Sequence, residues 1–86
     1  MRDLLYVQKQ EYRRQFQVKW WFSTNSLYLF ALGQDVDYFT IVPIRRILAT
    51  FEVAGTDILD FSDAGCTYRI VNRELVEKIR NMGVGA

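Results

Sequence analysis

The sequence predicts an α+β fold: one small domain with an antiparallel sheet of about five strands and two or three helices packed mainly on one face. Three observations point there. Phe16, Val18, Trp20 and Phe22 alternate with Gln15, Gln17, Lys19 and Trp21, the two-residue repeat of a half-buried strand. Ile44, Ile47, Leu48 and Phe51 recur at i, i+3, i+4 and i+7, the stripe of an amphipathic helix. The segments between these patterns are short, which favours antiparallel neighbours.

The elements follow in order. Residues 3–13 predict a short helix with Leu5, Tyr12 and Phe16 near one face, so that residues 1–14 form a basic N-terminal helix or arm. A strand runs from about Gln15 to Phe22, and Ser23-Thr24-Asn25-Ser26 turns the chain. Leu27 to Leu32 is apolar on both faces and predicts a central strand covered on both sides. Gly33-Gln34-Asp35 makes the next turn, and Tyr38 to Val42 the third strand, rich in β-branched and aromatic residues. Pro43 opens a helix over 44–54, where its missing N–H costs nothing, and Gly55 suits the left-handed cap after it. Thr56–Phe61 and Cys66–Val71 read as a hairpin around Ser62-Asp63-Ala64-Gly65. Asn72 is a good N-cap for a last helix, with Glu74 near its positive end. Leu75, Val76, Ile79 and Met82 face the core, Gly83 ends the helix, and 84–86 form a tail. The expected order is α-β-β-β-α-β-β-α.

From Tyr38 to Met82, the series strand, helix, hairpin, helix resembles in outline the later part of a LAGLIDADG homing-endonuclease unit. Ferredoxin-like arrangements fit the same segment equally. In the endonuclease family an acidic motif precedes the first long strand. Gln10-Glu11-Tyr12-Arg13-Arg14-Gln15 stands in that place, with no Gly-Asp-Gly. The resemblance therefore implies no nuclease activity.

Composition narrows the function classes. With 86 residues the chain is a single domain, and 50% apolar with 15% aromatic residues excludes a disordered segment. Cys66 is the lone cysteine, so no internal disulfide forms, which fits a reducing compartment. Apolar runs such as Leu27 to Leu32 are too short to cross a bilayer, and the first ten residues are too weakly apolar for a signal peptide. The expectation is a cytoplasmic protein, in the host cytoplasm if the source is viral.

Net charge is +1, with no global demand for nucleic acid. The distribution is uneven: net +3 over residues 1–20, −4 over 21–63 and +2 over 64–86.

Nucleophilic catalysis needs a base beside the nucleophile, and the chain has no histidine. Cys66 reads as a small apolar packing residue. Asp57, Asp60 and Asp63 fall on a strand and its turn, where their side chains diverge. The expectation is therefore no enzyme, no metal, no cofactor and no small-molecule substrate.

Binding is the better prospect. Lys9, Arg13, Arg14 and Lys19 surround Tyr12 and Trp21. The candidate contact residues are Tyr12, Arg13, Arg14, Lys19 and Trp21: aromatics supply buried area and cations supply orientation. The expected role is a small non-catalytic interaction protein, self-associating as a homodimer or docking on another protein. A phage-type inhibitor or accessory factor fits the size. The alternative is a nucleic-acid-binding module, with bases stacking on the same aromatics. Arg45 and Arg46 sit at a helix start, where positive charge is unfavourable, so Asp35, Asp37 or an external anion is their expected partner.

Overall fold

The computed structural model describes residues 3–33 and 37–84. Seven strands and two helices succeed one another: β1 (Leu4–Lys9), β2 (Tyr12–Phe22), β3 (Ser26–Leu32), β4 (Asp37–Pro43), α1 (Ile44–Thr50), β5 (Glu52–Val53), β6 (Ile58–Asp63), β7 (Cys66–Val71) and α2 (Arg73–Val84). All pairings are antiparallel, in one sheet ordered β4-β3-β2-β1-β7-β6-β5. The chain is thus a small single-domain α+β protein, with two more strands than the sequence predicts.

Two short elements account for the difference. The N-terminal segment is a strand, not a helix, because Leu5 and Val7 alternate with Leu4, Tyr6 and Gln8 and are buried between β2 and β7. The β1–β2 turn carries no glycine or asparagine, and Gln10 adopts the left-handed φ of 54°. The helix predicted over 44–54 stops at Thr50. Phe51 is already extended (φ −67°, ψ 148°), and Glu52 and Val53 pair with Asp60 and Leu59 as an edge strand. Gly55 therefore does not cap it.

The sheet rolls. The hydroxyls of Tyr38 on β4 and Tyr68 on β7 are 3.1 Å apart, although β3, β2 and β1 lie between these strands. In a flat sheet the two strands would be about 19 Å apart. Tyr38 reaches inward to stack on Phe16 (centroids 5.6 Å apart), opposite the small Ala31 on β3. Rolling also lets α1, a helix about 10 Å long, carry the chain from one edge strand towards the other.

The concave inner face holds the core: Leu5, Val7, Phe16, Val18, Leu27, Leu29, Ala31, Val42, Leu59, Phe61, Tyr68 and Ile70, closed by Ile47 of α1 and Leu75, Val76 and Ile79 of α2. Asn72 caps α2 as its sequence position predicts, its Oδ1 accepting the Leu75 N–H at 2.7 Å. Met82, predicted to face the core, is exposed one turn beyond Ile79. Gly83 lies inside α2 and does not end it. A Cβ there would sit 3.0 Å from the Phe51 ring, so the glycine serves close packing. The β6–β7 hairpin turns at Ala64 and Gly65, both with positive φ (52° and 81°), the geometry of a tight two-residue turn. Most of the turn predicted at Gly33-Gln34-Asp35, and the tail beyond Val84, fall outside the described residues. No described helix is long and apolar enough to cross a membrane.

Candidate interaction surface

Alternation along each strand sends half its side chains to the convex outer face, which no helix covers. Strand register aligns them across β2, β3 and β4 in rows. Trp21, Tyr28 and Ile41 form one row, Lys19, Phe30 and Phe39 the next, and Gln17, Leu32 and Asp37 the third. Trp21 stacks on Tyr28 with centroids 5.4 Å apart and planes 8° from parallel, and Tyr28 lies 6.4 Å from Phe39. Much of this surface meets water: Phe39 is 53% exposed, Trp21 47%, and Leu32 and Ile41 45% each. A contiguous apolar patch of this kind, with a polar rim, is characteristic of a contact surface.

The other half of the outer face is different. On β7 and β6, Arg69 grips Asp60 through two hydrogen bonds of 2.8 and 2.9 Å. Hydrogen bonding to Asp60 raises the Arg69 pKa further above its ordinary value. Thr67 donates its hydroxyl to the Gln8 carbonyl at 3.3 Å. A broad groove here is lined by Tyr6, Gln8, Arg13, Asp60, Thr67 and Arg69, but its central charges already satisfy one another.

The five residues singled out in the sequence do not converge. Trp21 and Lys19 point outward in neighbouring rows of the apolar half. Tyr12, Arg13 and Arg14 sit at the far end of β2 beside the β1–β2 turn, where the Arg14 guanidinium lies 5.8 Å from the Tyr12 ring centre. Arg13 shares the outer face with Trp21 but is about 26 Å along the strand from it. Alternation places Tyr12 and Arg14 on the opposite face.

The sequence reading missed Tyr28, Phe30, Leu32, Phe39 and Ile41. Their signal was the doubly apolar run Leu27–Leu32, read as a strand covered on both sides. The structure covers only its inner side, where Leu27, Leu29 and Ala31 are buried.

Of the three aspartates singled out in the sequence, Asp60 and Asp63 have side-chain partners. Asp60 faces outward to Arg69, while Asp63, on the opposite side of β6, stands 3.9 Å from Arg46 of α1. The Asp57 carbonyl accepts the Asn72 N–H at 2.8 Å. Among the described residues, no group of three His, Cys, Asp or Glu side chains could hold a metal ion. Cys66 is half-buried against the core. Asp37 does not serve Arg45 or Arg46, because β4 separates them end to end; Asp35 lies outside the described residues.

No protein-family model matches this chain, and no curated protein or solved structure matches it. The outline likeness to an endonuclease unit gains no support from these comparisons. In the sheet, the β1–β2 hairpin stands between the β3–β4 and β6–β7 hairpins.

Proposed function

We propose that this chain is a non-catalytic interaction protein whose working surface is the outer face of β2, β3 and β4. The observation that supports this is the three-row patch in which Trp21, Ile41, Phe39 and Leu32 are exposed around the half-buried Tyr28 and Phe30, on strands whose opposite face packs the core through Phe16, Val18, Leu27, Leu29, Ala31 and Val42. Rigid aromatics on a rigid sheet lose little conformational freedom on binding, and they are the usual anchors of protein interfaces. Lys19 is the one cation within the rows, and Arg13 lies too far away to share a short phosphate track with it. This composition favours a protein partner over nucleic acid, whose binding draws on several phosphate contacts.

The test is affinity capture on the immobilised wild-type chain and on a Trp21→Ser/Phe39→Ser variant, at low and high salt. The expected result is a defined set of proteins retained by the wild type at both salts and lost by the variant. Equal capture by the variant overturns the choice of surface. Retention of nucleic acid alone, released steeply as salt rises, would replace this reading with the nucleic-acid one.

A further inference from the structure

We propose that the chain pairs with a second copy of itself through the free edge of β4, the two strands running antiparallel about a two-fold axis near Thr40. The ladder fixes which main-chain groups are on offer. The Ile44 N–H donates to the Asn25 carbonyl at 2.8 Å, and hydrogen-bonded pairs alternate along an antiparallel ladder, so positions 38, 40 and 42 bond to β3. The N–H and C=O groups of Phe39 and Ile41 therefore point along the open edge, with their side chains exposed on the outer face. Folded proteins commonly blunt such an edge with lysine, proline, a bulge or an inward charge. None of these lies between Tyr38 and Val42, and Pro43 ends the strand. The opposite edge, β5, is only two residues long and begins with Glu52. One long edge per chain lets the assembly close at two copies instead of growing.

Charge argues for a second copy as the occupant. Asp37 and Arg45 are both exposed and stand at opposite ends of β4, at least about 20 Å apart within one chain. Antiparallel pairing about Thr40 sets Asp37 of one copy opposite Pro43 of the other, two residues from its Arg45. The same register pairs Phe39 with Ile41 in both directions and leaves Pro43, which has no N–H, at the ladder's end. It also joins the row Trp21, Tyr28, Ile41 to the row Phe39, Phe30, Lys19 of the second copy, doubling the width of the surface proposed above. The inference deepens that reading by naming one partner. It is measured without any other protein, so either can fail alone.

Sedimentation equilibrium tests it. The wild type is expected at twice the 10.2 kDa chain mass, and Ile41→Lys at the single-chain mass with an unchanged far-ultraviolet circular dichroism spectrum. Asp37→Arg and Arg45→Asp should each weaken pairing several-fold, and combining them should restore it. In a Cys66→Ser background, Thr40→Cys should oxidise to a cross-linked dimer, because directly opposed non-hydrogen-bonded positions lie about 4.5 Å apart at Cα. A wild type that stays at the single-chain mass at every concentration overturns the proposal. So does a dimer that cross-links through Phe30→Cys but not Thr40→Cys, since that would mean face-to-face packing.

Discussion

The two halves of the outer face share one sheet and one core, yet they treat water in opposite ways. On β7 and β6 the outward Arg69, Asp60 and Thr67 have partners within the sheet: Arg69 clamps Asp60, and Thr67 bonds back to the Gln8 carbonyl of β1. On β2, β3 and β4 six of them are aromatic or branched and aligned in rows, and Trp21, Leu32, Phe39 and Ile41 are left open. The core does not require this difference, because the inner faces of both halves are apolar alike. That contrast between a finished half and an unfinished one is what the proposed interaction surface rests on.

The largest expected effect separates the inner face from the outer. Leu29→Ala removes a fully buried side chain and should cost about 2–5 kcal/mol in urea unfolding. A loss under 1 kcal/mol there would mean the inner face is not the load it is taken to be.

Next comes the hydroxyl pair that ties the halves together across the core. Burial, then the hydrogen bond its hydroxyl shares with Tyr38, raises the Tyr68 pKa well above its ordinary value. The unfolded chain then releases this proton first, at about pH 10. Stability from the buried neutral phenol is therefore whole below pH 10 and declines above it. Tyr68→Phe should lose about 1 kcal/mol at neutral pH and flatten that alkaline decline in thermal melts. An unchanged alkaline limb would remove Tyr68 as its cause.

Phe39→Ser is a sharper probe of the open half. It should change stability by no more than about 0.5 kcal/mol while abolishing association. A large stability loss would make Phe39 a core residue in disguise. The smallest effect belongs to the finished half: Asp60→Ala should lower the melting temperature slightly and leave association intact, because both partners of the ion pair are solvent-accessible. If Asp60→Ala abolished association and Phe39→Ser did not, the roles of the halves would be reversed.

Legibility in the sequence followed the strength of local patterning. The alternation of Phe16, Val18, Trp20 and Phe22, the turn residues at Ala64-Gly65 and the Asn72 cap each state their structure within a few residues. β1 was hidden because Gln10 turns the chain without a turn-forming residue, so Leu5, Tyr12 and Phe16 read as a helical stripe. β5 was hidden because two residues carry no period, and the helical spacing of Ile44 to Phe51 ran on into it. The site was half legible. Outward placement of Trp21 and Lys19 follows from alternation alone. Phe39 and Ile41 were beyond reach, because an apolar strand looks the same whether its second face is covered by a helix, by a partner or by water. Deciding among these takes the topology, which puts both helices on the inner face and β4 at the edge.

Amide hydrogen exchange read residue by residue, over a range of protein concentration, tests the open edge most directly. The account predicts that Thr40 and Val42, whose N–H groups bond to β3, stay protected at every concentration, while Phe39 and Ile41 exchange quickly in dilute solution and slow as concentration rises. Phe39 and Ile41 amides that exchange equally fast at all concentrations would contradict it.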